Sequence, residues 1–171
     1  IILFFSFYED IKQSLSPLIR LILLFLGSSI FIIFTELPEI NVRYLNFINQ
    51  YSLISFLVFT LSLMLLMNGF NFIDGLNGLS SFNFYSILFS TYYLATILDD
   101  VFLIDLIIIF LLSSIFFFIL NFPLGRIFIG DSGSYLYAFY SGALVIYLFN
   151  RHPNLPTLLA LVILAHPITE M

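Results

Sequence analysis

Cysteine is missing from the 171-residue chain, which removes disulfides, thiolate metal ligands and a cysteine nucleophile while leaving the compartment open. Charge is scarce too: 9% of residues are Asp, Glu, Lys or Arg, and five cations against ten carboxylates leave a net charge of -5. With no Lys/Arg cluster, neither nucleic acid nor a polybasic membrane anchor is expected. An anionic partner would need a cation between itself and the protein, and oxygen ligands are what remain to hold one. Hydrocarbon fills the chain instead, with 61% hydrophobic residues, 23 phenylalanines and a mean hydropathy of +1.13. That composition lies far from soluble globular domains and reads as an integral membrane protein. The chain opens on Ile1 and its apolar segments recur throughout, so no secretory leader is expected and both ends read as cut.

Crossing a hydrocarbon core of about 30 Å takes roughly 17 to 25 apolar residues as a helix. Runs of this kind are Leu18 to Phe34, Tyr51 to Met67, Phe82 to Leu98, Phe102 to Leu120 and Tyr135 to Phe149, with a sixth beginning at Leu155. Ile1 to Phe7 reads as the tail of an earlier span. The runs lack the alternation of barrel strands, so the expected fold is all-α, a polytopic transmembrane helical bundle of about six spans including truncated ends. Residues 1–171 are expected to form a single membrane-embedded domain.

If each run crosses once, the connections alternate sides. Tyr8 to Pro17, Asn68 to Ser81 and Asn121 to Ser134 share one face with the end of the sixth span; Thr35 to Gln50, Asp99-Asp100 and Asn150 to Asn154 share the other. The first face gathers Glu9, Asp10, Asn68, Asn71, Asp74, Asn77, Asn121, Asp131, Ser132 and Ser134. It carries Lys12, Arg20 and Arg126 against Arg43 and Arg151 opposite, a small excess that favours a cytoplasmic position.

Three stretches on that face carry chemistry. In "NGFNFIDGLNGL", Asn68, Asn71, Asp74 and Asn77 recur every three residues, so on a helix they drift by about 60° per step and stay on one broad side. They can line a cleft, or they can hydrogen-bond to neighbouring helices while the glycines permit close packing. Asp74 asks for a cation, because an ionised carboxylate at the centre of a membrane helix costs on the order of 3 kcal/mol, and less near its end. In "NFPLGRIFIGDSGSYL", Pro123 and Gly125 end one helix, and Asp131 or Ser132 either caps the next or stands beside a phosphate with a divalent metal. "FYEDIKQSLSPLIRL" reads as a charged loop with adjacent carboxylates at Glu9 and Asp10. Four carboxylates on one face would repel a phosphate unless a metal bridged them, which suggests Mg²⁺-dependent phosphoryl transfer.

"NGFNFIDGLNGLS", "NFPLGRIFIGDSGSYLYAF" and the upstream "YEDIKQSLSPLIRL" together resemble the polyprenyl-phosphate N-acetylhexosamine-1-phosphate transferases, the superfamily of MraY, WecA and TagO. The resemblance runs over nearly the whole chain, with the polar motifs in family order, and leans toward the WecA/TagO branch. It implies an enzyme of the plasma (inner) membrane, multi-pass, working at the cytoplasmic face. Its activity would be to pass a sugar 1-phosphate from a UDP-sugar to undecaprenyl phosphate with release of UMP, initiating a lipid-linked cell-envelope glycan. By the same resemblance Asp131 and Asp74 are metal ligands for Mg²⁺, and Glu9, Asp10 and Asp74 are catalytic. Asn68, Asn71, Asn77, Lys12 and Arg126 make up the implied substrate-binding set. The chain departs from the family pattern with Glu9 in place of the first aspartate of the acidic pair, and with Asn77 where many members have a second aspartate. The family's histidine-rich loop would lie beyond Met171. A homodimer is allowed but not specified.

Two other classes are weighed beside this. "GDSG" at Gly130 to Gly133 with His166 on a neighbouring span resembles the setting of an intramembrane serine protease, with Ser132 as nucleophile. An ion-coupled transporter would instead place its carboxylates at the membrane midplane. His152 reads as a plain loop residue, and Asp99-Asp100 as turn and interface residues.

Overall fold

A computed structural model describes residues 2–12, 16–75 and 78–170. Every regular element among them is helical: α1 (Ile2–Lys12), α2 (Pro17–Ile33), α3 (Phe47–Gln50), α4 (Ser52–Ile73), α5 (Leu79–Ile97), α6 (Val101–Asn121), α7 (Gly130–Arg151), α8 (Leu158–Ile163) and α9 (Ala165–Thr169). Of these, α4 and α6 are long and apolar enough to cross a bilayer, and α2 is apolar but shorter. The outward side of α6 leaves Ile109, Leu112 and Phe116 exposed, a surface suited to lipid chains rather than water.

The bundle is organised around α7. Its contacts with α4, α1 and α5 form the core, α2 backs α4, and α6 packs on α5 from outside. Close approach of α4 and α7 depends on Gly142, where an added Cβ would sit 2.4 Å from Leu63 Cδ1. Leu63, Leu66, Met67, Phe70, Ala138, Leu144 and Leu148 form the continuous buried seam between these two helices.

Several helices start earlier or end later than hydropathy alone suggests, and three of these extensions bring site residues into a helix. The fourth helix runs six residues past Met67, so Asn68 and Asn71 are helical and Asp74 follows as the C-cap. The seventh begins at Gly130 and takes Asp131, Ser132 and Ser134 into its first turn. The first continues past Phe7, so Glu9 and Asp10 lie on a helix, not on the charged loop expected for them. These polar turns are affordable because the side chains find partners on other helices. The sixth span is not a single helix among the described residues. It is replaced by α8 and α9, joined at Leu164, and neither approaches the roughly 30 Å of a hydrocarbon core.

The connections between helices separate to opposite ends, but the end of the sixth span, expected on the first face, lies by the second, where Ile168 of α9 lines a cavity with Pro38 and Ile40. At one end Asp10 meets Ser132, Arg20 meets Asp131, and Asn121 meets Gly78. At the other, Asn41 bonds to Thr157 and Pro153, and Asp100 bonds to Arg151 and His152.

Candidate active site

The N-terminus of α7 organises the first end of the bundle. A helix start leaves amide hydrogens without intrahelical partners and carries the positive end of the helix dipole, so it attracts carboxylates. Of the two readings open for Asp131 and Ser132, capping of their own helix is not the one seen: the N-cap is Ile129, which makes no side-chain cap. The carboxylate comes from α1. Asp10 Oδ1 accepts from the Asp131 amide at 2.9 Å, and Oδ2 accepts from the Ser132 amide at 3.0 Å and from the Ser132 hydroxyl. Gly130 makes room for this contact, with φ of 66° and no Cβ to press on the Asp10 carboxylate about 3.1 Å away.

Asp131 is held from two further helices. Asn71 Nδ2 of α4 donates to its Oδ1 at 2.7 Å and lies 3.3 Å from Ser134 Oγ. Arg20 of α2 donates to Oδ2 at 3.1 Å, while its other terminal nitrogen reaches Glu9 Oε1 at 2.6 Å. The acidic pair on α1 is therefore split in role by helix geometry. Glu9 turns inward, 3% exposed, against Arg20, whereas Asp10 faces outward at the α7 start.

Asp74 caps α4 beside these groups. Burial, and then the negative charge of Asp131, push its carboxyl up to about 7; a hydrogen bond from the Gly130 backbone opposes the rise, and Asp10 adds to it. Asn121 braces the same end from α6. Its Oδ1 accepts from the Gly78 amide at 2.7 Å and its Nδ2 donates to the Ile127 carbonyl at 2.8 Å. The brace needs glycine at 78, where φ is 85° and a Cβ would meet the Phe122 side chain at 2.9 Å.

Asp10, Asp74, Asp131, Asn71 and Glu9 are thus brought together. Asn68 is half-buried one turn before Asn71 on α4, and the Lys12 and Arg126 residues are exposed at the edge of this end. Asn77 lies outside the described residues. Arg20 and Asn121 belong to the framework although neither was placed among the site residues from sequence; their charge and amide groups on the polar face were the available signals. Ser132 donates to Asp10, and it has no histidine partner among the described residues. His166 is exposed on α9, and Ile168 of that helix lines an apolar cavity with Pro38 and Ile40 from the opposite end.

That opposite end corrects two simple readings. Asp100 is 4% exposed and caps α6 through the Leu103 amide at 3.2 Å. Arg151 grips it with two nitrogens at 2.6 and 3.1 Å, and His152 Nε2 lies 2.9 Å away. Asp100 is therefore a buried anchor between the α6 start and the α7 end, and His152 is part of it. Hydrogen bonds from Arg151, foremost among the causes, hold its carboxyl down at about 2 despite burial.

The donors at the first end fit a hard divalent cation. No three carboxylate or imidazole groups among the described residues form a protein-only metal cage, but Mg²⁺ characteristically takes one or two carboxylates and completes its shell with water and phosphate oxygens. Burial first, and then the charge of Asp131, raise the Asp74 carboxyl, and a cation bound beside it would favour its ionised form.

Comparison with known proteins agrees with this arrangement. The model of glycosyl transferase family 4 matches residues 1–149. The chain belongs to glycosyl transferase family 4. Neither curated proteins nor solved structures yield a match. Family 4 membership makes the protein a membrane transferase that moves a phospho-sugar to a polyprenyl phosphate, with lipid phosphate and nucleotide sugar as substrates. The transporter and serine-protease readings find no support at this site.

Proposed function

We propose that this family 4 protein transfers an N-acetylhexosamine 1-phosphate from its UDP-sugar to undecaprenyl phosphate, releasing UMP and beginning a cell-envelope glycan. The "NFIDGLNG" wording supports the WecA/TagO side over the MraY side. The excess of Lys12, Arg20 and Arg126 over Arg43 and Arg151 supports an active site on the cytoplasmic face of the plasma membrane. Residues 1–171 are read as one membrane-embedded transferase domain.

The observation that carries the proposal is the convergence of Asp10, Asp74 and Asp131 from three helices at the start of α7. Asp131 and Asp74 are the residues to hold Mg²⁺, which when bound would neutralise the donor pyrophosphate. Asp10 is the member of the acidic pair that a substrate phosphate can reach. A carboxylate offers about four acceptor positions, and the α7 start uses three of them, so Asp10 retains capacity to orient the lipid phosphate or take its proton. A phosphate oxygen of the lipid then bonds to the sugar-linked phosphorus while that phosphorus's bond to the UMP oxygen breaks. Asn71 keeps Asp131 aimed throughout.

The test is an exchange assay on the full-length protein with UDP-GlcNAc, undecaprenyl phosphate and Mg²⁺, scored by labelled UMP. Asp131→Asn is expected to bring UMP release to background. Turnover at the wild-type level in that variant would reject the ligand assignment.

A further inference from the structure

Arg20 brings a positive charge to two carboxylates of this end. Arg20 stands in the first turns of α2, after a start fixed by Pro17 and by Ser16, whose hydroxyl accepts from the Ile19 amide. Its guanidinium spans two carboxylates on different elements, Glu9 Oε1 at 2.6 Å and Asp131 Oδ2 at 3.1 Å. The other oxygen of Asp131 accepts from Asn71. Asp131 therefore has one oxygen engaged by a neutral amide and the other by a fixed positive charge. Arg20 Nε is buried without a hydrogen-bond partner, so the guanidinium reaches this position at the cost of one unpaired donor. Orphaning a donor is tolerated only where the remaining contacts compensate.

We infer that Arg20 is a positioning residue that holds Asp131 in place of a metal ion between turnovers, and that a divalent cation binds by displacing the guanidinium from Asp131 Oδ2. The inference rests on Asp131 being a metal ligand, as proposed above. Two positive charges at one carboxylate oxygen repel, so the Arg20 contact and the metal compete for Asp131 Oδ2. By linkage, whatever Arg20 contributes to ordering Asp131 is subtracted from metal affinity. Glu9 keeps the displaced side chain tethered to the site, so the exchange is local and reversible. The same contacts leave Glu9 and Asp131 paired with a positive charge when no metal is bound.

Mn²⁺ binding to purified full-length protein, without nucleotide sugar and read from the free-ion electron paramagnetic resonance signal, tests this independently of turnover. Arg20→Gln should tighten Mn²⁺ binding by about tenfold, within the usual range of coupling between two binding events, and Arg20→Lys should restore weaker, wild-type-like binding. In the wild type, the arginine Nε–H resonance that is lost in Arg20→Lys should shift on Mg²⁺ addition, a readout that requires no folded Arg20→Gln protein. If Asp131→Asn abolishes Mn²⁺ binding while Arg20→Gln leaves affinity unchanged and the resonance stays still, Arg20 is structural only and the inference is overturned. If Asp131→Asn binds Mn²⁺ as the wild type does, the metal assignment itself fails, and the inference falls with it.

Discussion

At the scale of single residues, the acidic pair on α1 shows how one helical step separates two carboxylates of similar chemistry. Successive helix positions are rotated by about 100°, so Glu9 points into the bundle toward Arg20 and Asp10 points at the free amides of α7. The roles should separate under mutation. Glu9→Ala removes a buried, charge-assisted hydrogen bond and is expected to cost about 2 kcal/mol of stability, visible as a lower melting temperature in detergent. Asp10→Asn loses the acceptor at one of its two positions, but at the exposed α7 start water can replace it, so it should destabilise less than Glu9→Ala while losing UMP release. Equal loss of stability in both variants would contradict the division. Asn121→Ala makes a second residue-scale case: it strands the buried Gly78 amide and the Ile127 carbonyl, and about 2 kcal/mol of destabilisation is expected from the unpaired groups.

Helices set the next scale, and here the contacts that matter are those between α4 and α7 and between α6 and α7. Gly142 lets Leu63 and Leu66 seat against α7. Gly142→Leu should overpack this seam and destabilise the protein by about 1–3 kcal/mol, with Leu63→Ala restoring part of the loss in a double-mutant cycle. The anchor at the other end responds to acid. Asp100 has a carboxyl held at about 2 in the folded protein against an ordinary 3.8, so the unfolded chain takes up the proton first. Its contribution is complete above about pH 4 and fades as pH falls toward about 2, a loss of roughly 2 kcal/mol by linkage. Melting profiles over that interval should be flatter for Asp100→Asn than for wild type. An unchanged slope would mean that the Arg151 pairing does not persist in solution.

For the whole molecule, the alternation of connections is the decisive property. Single cysteines can be introduced without background, since the chain has none of its own. Replacements at positions 12 and 126, which are exposed at the edge of the site, should react with an impermeant thiol reagent from one side of the membrane, and one at exposed Asp99 from the other. Labelling of all three from the same side would contradict the arrangement of the bundle. The lengths of α4 and α6 suffice to cross a bilayer, and the exposed apolar flank of α6 suits lipid contact.

Hydrophobic runs, which follow from local composition, determined that the chain is helical, that it belongs in a membrane and that Glu9, Asp10, Asn71, Asp74 and Asp131 lie toward one end. Charge and amide chemistry marked the same residues as candidates before any contact was known. Local composition says nothing of rotation about a helix axis or of which partner a long side chain will choose, because both depend on groups far away in the chain. Only the packed bundle assigned Asp10 to cap α7, turned Glu9 inward, gave Arg20 two carboxylates and replaced the expected sixth span by two short helices. His152 likewise became part of a buried anchor only when the ends of α6 and α7 came together. Desolvation and electrostatic pairing arise between elements, so tertiary structure decides them even where the sequence names the participants.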